Sequence, residues 1–305
     1  MAVLENTMTK DNYLAVADID FVNMFGNQIE SLQEMLGIQR AQKLNIGDTI
    51  KTYKSSVTLA DGKVAPGDVI PLSTTKREPD QTYTLEYNKY RKLVTAEDIQ
   101  KFGFATAVAD SDGLMIRQIQ ENIRDGFFTQ LKSTKKTVTA KSVKDAFAQA
   151  WGNVNTAFAG EGTGTIVFVN PLDVADYLAK GNIIVQQSFG LQYLTGFMGT
   201  TTTVVTTLVP KGTIYTTAPE NLNLVYANVA GGEIAKAGFG FTTDETGVIG
   251  VTREAGLDRI SVSTYAMYAM MLFAERTDGV FKINIKAEAK EDKTEAKEDK
   301  AEATA

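Results

Sequence analysis

The sequence contains no cysteine and no histidine in its 305 residues. Their absence removes thiol nucleophiles, histidine-based triads and structural zinc sites, leaving carboxylates, lysines, tyrosines and hydroxyls for any chemistry. A chain without cysteine also suits a reducing compartment. No basic stretch leads into a long apolar core at the N-terminus, so no signal peptide is expected and the sequence reads as soluble and intracellular when made. The most apolar late run, residues 262–274 (VSTYAMYAMMLFA), is shorter than the roughly 20 residues that span a bilayer. No membrane partner is expected. Positive charge is in deficit: 31 Lys and Arg against 37 Asp and Glu give a net charge of −6, so no global field draws in nucleic acid.

What is present is an ordinary globular composition, 43% apolar and 22% charged, enough for one large or two ordinary domains. Residues 1–18 are polar and unpatterned, as in a mobile arm. Phe21, Phe25, Ile29, Leu32 and Leu36 then recur at helical spacing, and Gly37 supplies a stop. In residues 45–100, Asp61-Gly62 and Pro66-Gly67-Asp68 punctuate short β-prone runs, and Tyr83 to Val94 alternates as one long strand. The stretch between Lys51 and Asp80 is so poor in Ile, Leu and Phe that its hairpin needs another surface to lie on.

The longest helical pattern follows, with Val108, Met115, Ile119, Ile123, Phe127 and Leu131 on one stripe and Asp110, Arg117, Gln120, Glu121 and Arg124 opposite. Residues 140–229 read as an α/β unit. Val143, Phe147, Trp151, Val154 and Phe158 mark a helix, residues 165–170 (TIVFVN) a buried strand, and Asn170, Pro171 and Gly181 frame a second helix. Turns at Pro210, Gly212, Pro219 and Asn221 separate short strands after it. From Gly231 to Lys286 the pattern is β again, with Asp278-Gly279 read as the hairpin turn between the last two strands. The tail repeats EAKEDK at Glu288–Lys293 and Glu295–Lys300 and holds no apolar residue larger than Ala, so it cannot pack a core.

Several chemical signals are weak. The glycines of AGEGTGTIVF lie between a helix and a strand, the reverse of a phosphate cradle. Asp244, Glu245, Glu254 and Asp258 sit among glycines, as solvated turns do. Asp110 to Gly113 (DSDG) lacks the closing glutamate of a calcium loop and falls inside the helical pattern. Lys89, Arg91 and Lys92, with Tyr83, Tyr87 and Tyr90, alternate across both faces of a strand, which fits a strand lying across an acidic partner better than a nucleic-acid strip. Tyr265, Tyr268, Met267, Met270 and Met271 read as core. No catalytic, metal or cofactor residue is assigned.

The order of parts, together with VFVNPLDVADYLAKG, VPKGTIYTTAPENLNLVYANV and VTREAGLDRISVSTYAMYA, resembles the major capsid protein of tailed bacteriophages, whose fold is shared with encapsulins and the herpesvirus capsid floor. The likeness covers about residues 20–285. It implies an α+β fold with an N-terminal arm and amphipathic helix (1–44), an extended hairpin loop (45–100), a peripheral spine helix (101–139), an axial domain (140–230), peripheral C-terminal strands (231–286) and a charged tail (287–305). It also implies an intersubunit role for the hairpin residues Lys54, Asp61, Gly62, Pro66, Gly67, Lys76 and Arg77, and axial-domain turns at Pro210, Gly212, Pro219 and Asn221. The implied function is a self-assembling icosahedral shell of hexamers and pentamers around double-stranded DNA, bound without sequence reading. A separate scaffolding protein and a portal would be partners, with assembly in the host cytoplasm and residence in the virion. Asn284 is the sole asparagine after residue 230, so no lysine–asparagine cross-link is assigned. An encapsulin-type compartment is the alternative on the same fold, and a carboxylate-dependent hydrolase is a third reading.

Overall fold

The computed structural model describes residues 10–38, 40–65, 67–158, 163–180, 184–229, 231, 234 and 236–286. Helix α1 spans Lys10–Leu36, so the segment read as an unpatterned arm is helical from Lys10 onward, and residues 1–9 lie outside the described residues. The reason is tertiary: Asp18, in the polar stretch, is buried and ion-paired. The expected face holds, with Phe21, Phe25, Ile29, Leu32 and Leu36 all buried. At the end of α1, Gly37 takes φ 60° and donates to Glu34 O at 3.1 Å, while Ile38 N–H reaches back to Gln33 O at 2.9 Å. This pair of bonds closes the helix with a left-handed residue that glycine adopts without penalty.

Strand β1 (Ala41–Leu44) follows, then β2 (Thr49–Thr58) and β3 (Thr74–Thr84), which among the described residues pair only with each other. The two short turns expected at Asp61-Gly62 and Pro66-Gly67-Asp68 do not separate strands: among the described residues, 59–73 hold none and form one long loop. The ladder slips by one residue between Lys51↔Thr82 and Tyr53↔Pro79, beside the proline that has no N–H to give. The long strand expected from Tyr83 to Val94 is broken. β3 ends at Thr84 and β4 (Asn88–Thr95) joins a different sheet. The alternation survives the break. Tyr83, Leu85 and Tyr87 all face a cluster formed by Val225, Ala227, Ala269 and Phe273.

Helix α2 (Ala96–Phe102) is capped by Thr95, whose hydroxyl accepts from Asp98 N–H at 3.3 Å. Helix α3 (Phe104–Lys132) carries the expected stripe, and Ile116 and Phe128 extend it. Gln120, expected on the polar side, is buried, where it donates to Gln28 of α1. Phe127 and Phe128 meet Phe168 edge-on, with centroids 5.6 and 5.4 Å apart, in the main core between the helices and the sheets.

β5 (Lys136–Ala140), α4 (Val143–Ala157), β6 (Ile166–Val169) and α5 (Pro171–Lys180) come next. Trp151, expected on the buried face of α4, is 55% exposed. The buried stripe is Ala146, Phe147, Ala150 and Val154, and 100° per residue carries position 151 past its edge. Asn170 caps α5 as expected, its side-chain oxygen accepting from Leu172 N–H at 3.0 Å.

The remaining strands are β7 (Gln186–Ser188), β8 (Leu191–Thr195), β9 (Thr202–Val205), β10 (Thr213–Thr217), β11 (Leu222–Ala227), β12 (Ile249–Gly256), β13 (Ser261–Tyr268), β14 (Met270–Ala274) and β15 (Phe281–Ile285). They build a seven-stranded mixed sheet, β5-β15-β10-β6-β9-β8-β7, and two three-stranded sheets, β1-β11-β14 and β12-β13-β4. Here the hairpin expected at Asp278-Gly279 fails: β14 and β15 belong to different sheets, and a 3₁₀ turn at Thr277–Gly279 carries the chain between them. β10 and β11 cross between the same two sheets through a second 3₁₀ turn, Pro219–Asn221. The fold is α+β.

Candidate functional site

Four elements bring charge into the interior at one place. The Arg253 guanidinium of β12 lies 2.6 Å from an Asp18 oxygen of α1 and 2.8 Å from an Asp112 oxygen of α3, with its side chain wholly buried. Lys92 of β4 pairs with the other Asp112 oxygen and donates to Ser111 Oγ at 2.6 Å and Val108 O at 3.2 Å. Arg253 Nε also donates to Thr264 Oγ1 at 3.2 Å. Two carboxylates and two cations therefore pair their charges away from water, which buried charges require. Burial pushes the Asp18 carboxyl up to about 6, the neighbouring Asp112 adds to the rise, and Arg253 opposes it. Burial lowers the Lys92 ammonium despite Asp112 beside it.

None of these four residues was singled out from sequence for this role. A signal existed for two of them. Asp112 sits four residues after Val108 and three before Met115, on the apolar stripe, and Arg253 follows Val251 on the inward face of an alternating strand. Lys92, read as facing an outside partner, instead finds its acid within the chain.

The hairpin residues are placed as follows. Lys54 lies opposite Glu78 in the ladder, and Lys76 opposite Ser56. The Arg77 guanidinium stands 4.0 Å from the Tyr53 ring centroid, a cation–π contact. In the loop, Asp61 Oδ1 accepts from Lys63 N–H at 3.0 Å across Gly62, and Asp68 N–H reaches Ala65 O at 3.1 Å beside Gly67 with φ 96°. Pro66 lies outside the described residues. The loop carries Leu59, Val69, Ile70 and Leu72 at 76–94% exposure. The base, by contrast, is tied down: Gln130 donates to Tyr83 Oη, Thr277 to Asp80, and Thr52 and Gln81 bond each other at 3.1 Å.

Of the four turn residues, Pro210 is exposed and its carbonyl accepts from Thr213 N–H at 3.1 Å. Gly212, with φ 75°, donates to Asp173 Oδ2 and accepts from Ile285 N–H, each at 2.8 Å, joining α5 and β15 to the turn. Pro219 and Asn221 are buried at the crossing between sheets. Asn221 donates to Thr217 Oγ1 and Arg276 O, both at 2.9 Å, and accepts from Arg276 N–H at 2.7 Å. It staples the two sheet-to-sheet crossings together.

The carboxylates considered for acid–base work do not converge. Asp244 accepts from Thr246 Oγ1 and Gly247 N–H, both at 2.8 Å, as a turn does, and Glu254 and Asp258 are exposed. Among the described residues no group of three or more acidic side chains is placed to hold a metal ion, and none of their helices is long and apolar enough to cross a membrane.

No family model and no curated protein sequence matches the chain. Its fold does have solved counterparts. The capsid of an empty GTA particle superposes with a TM-score of 0.53 at 9% identity, over 84% of this chain and 90% of that one. The capsid of cyanophage P-SCSP1u gives 0.51 at 9% identity over 84% and 88%. The SrpI encapsulin complex of Synechococcus elongatus PCC 7942 gives 0.50 at 11% identity over 84% and 90%. The chain therefore shares its fold with these two capsids and the encapsulin.

Proposed function

We propose that this chain is the major capsid protein of a tailed phage, self-assembling as hexamers and pentamers into an icosahedral shell around double-stranded DNA. The observation that carries it is the hairpin β2–β3. It projects from a capsid-type body and ends in four apolar side chains at 76–94% exposure. Burying each of these against a neighbour would contribute roughly 1.5–3 kcal/mol, and a closed symmetric shell supplies a neighbour to every copy. In this reading the N-terminal arm and the hairpin lace subunits together, α3 is the spine, residues 140–230 with α4 and α5 form the axial lobe, and the hairpin residues Lys54 to Arg77 contact the adjoining copy. A net charge of −6 fits a container filled by a motor rather than by attraction to DNA. A scaffolding protein and a portal would be the other partners, with assembly in the bacterial cytoplasm and residence in the virion.

Electron microscopy of the purified protein, with and without a co-expressed scaffold, tests the reading: closed shells are expected. A chain that stays monomeric under every assembly condition would sink it. The contents separate the two shell types, since double-stranded DNA in particles from infected cells marks the phage and a packaged enzyme marks an encapsulin.

A further inference from the structure

Strands β5, β6 and β15 run the same way, so their last residues meet at one end of the seven-stranded sheet. Lysines collect at this end. Lys286 N–H donates to Ala140 O at 2.9 Å, and Ile285 N–H donates to Gly212 O at 2.8 Å. These bonds set Lys286 between Lys141, which follows Ala140, and Lys211, which precedes Gly212. Lys144 stands in the first turn of α4, three residues after Lys141. All four side chains are exposed. Two acids at this end are turned to backbone donors instead: Asp145 accepts from Lys141 N–H and Asp173 from Gly212 N–H, each at 2.8 Å. Among the described residues, Lys144, Lys211 and Lys286 pair with no carboxylate. The end of the sheet thus holds a local excess of positive charge in a chain whose net charge is −6.

From this point the sequence runs on into residues 287–305, which carry seven acids against four lysines. We infer that this tail lies back across Lys144, Lys211 and Lys286 of its own chain, a built-in polyanion that covers a phosphate-binding surface. The acids include two doublets, Glu291-Asp292 and Glu298-Asp299, which concentrate negative charge at two points. Glu288 follows Lys286 by two residues, so at ~3.3 Å per residue it starts within about 7 Å of the lysines. A tether that short gives the tail an effective concentration on the order of millimolar at the patch, enough for contacts that would not hold between separate molecules. Nothing in the tail is larger and more apolar than alanine, so the contact is electrostatic. Exposed ion pairs are individually weak and are screened by salt. The tail therefore yields to a denser polyanion, and duplex DNA, with one charge per ~1.7 Å of axis, is such a competitor. Both sides of this contact belong to one chain, so it stands apart from the shell reading.

A labelled DNA duplex of mixed sequence, read by fluorescence anisotropy, is the probe. At about 50 mM salt, deleting residues 287–305 is expected to tighten duplex binding about tenfold, and the gain should vanish by about 500 mM. In the truncated chain, Lys144→Glu, Lys211→Glu and Lys286→Glu together should erase the gain. The same charge change at the exposed Lys51, Lys89 and Lys101, on β2, β4 and α2, should leave it within about threefold, with urea denaturation checking that both triple variants fold. Carbodiimide cross-linking of the full chain at low salt gives position: amides are expected between tail acids and Lys144, Lys211 or Lys286 within one chain, as told by mixing isotope-labelled and unlabelled protein. Equal duplex affinity with and without the tail overturns the inference, as does a gain lost equally in both triple variants. Tail cross-links that join only separate chains, or that miss these three lysines, overturn it too.

Discussion

Arg253 Nη2 lies 2.8 Å from Asp112 Oδ2, joining residues 141 positions apart and tying the middle of β12 to helix α3. With Asp18 on its other amino group, Arg253 is the point at which α1, α3 and the β12-β13-β4 sheet are held to one another. Replacing it leaves two buried carboxylates facing Lys92 alone of the cluster's two cations. Arg253→Met is expected to cost about 3–5 kcal/mol in urea denaturation, and adding Asp18→Asn should recover part of the loss. A cost under ~1 kcal/mol would show that the cluster does not hold the helices.

The same cluster sets a pH dependence. The Asp18 carboxyl rises from an ordinary 3.8 to about 6 on folding. A raised folded value means that the folded state binds the proton more tightly, so this group's contribution is fully present below 3.8 and is lost as pH rises through about 6. The difference in unfolding free energy between the parent and Asp18→Asn should therefore shift by about 3 kcal/mol between pH 3.5 and pH 7, in the direction of a relatively weaker parent at pH 7. A difference that does not change with pH would show that Arg253 fully offsets the effect of burial on this carboxyl.

Asn221 bonds to Thr217 and twice to the Arg276 backbone while it is only 2% exposed. Asn221→Ala strands the groups it served at both sheet crossings, and a loss on the order of 3 kcal/mol is expected by thermal or chemical unfolding. Asn221→Asp keeps the acceptor for Arg276 N–H and loses both donated bonds, so it should not rescue.

Replacing residues 59–73 by a two-residue Asn-Gly turn removes the apolar tip but leaves the strand ladder and its base. Unfolding free energy should stay within about 0.5 kcal/mol of the parent, as for surface changes generally, while particle formation is lost. Shells of normal yield from this variant would remove the hairpin from assembly.

Deleting residues 287–305 should leave assembly intact, because the repeated EAKEDK segment holds nothing larger than alanine to bury. Sedimentation of the truncated protein checks this, and loss of particles would make the tail an interface.

Much of the fold was legible where a pattern is local. Phe21 through Leu36, closed by Gly37, needs only the 3.6-residue repeat and one residue free to take positive φ. The alternation of Tyr83, Leu85 and Tyr87 marks one inward face whether or not the strand is continuous. The poverty of apolar residues between Lys51 and Asp80 foretold a hairpin without a core of its own, and among the described residues β2 and β3 pair with no third strand.

What failed did so where a partner distant in sequence decides. Asp278-Gly279 has the chemistry of a hairpin turn, but β11 takes β14 and β10 takes β15, so the same dipeptide serves a crossing between sheets. Trp151 lies only a step off the buried stripe of α4, and packing against β10 and β15 selected Ala146 and Ala150 instead. Nothing local in the sequence pairs Asp18, Lys92, Asp112 and Arg253 with one another. Sequence alone determined which residues turn, which faces are apolar and which chemistries are missing, because those follow from each residue and its near neighbours. Only the tertiary structure decided that four charges face inward together, because burying any one of them is unfavourable until the other three are already in place.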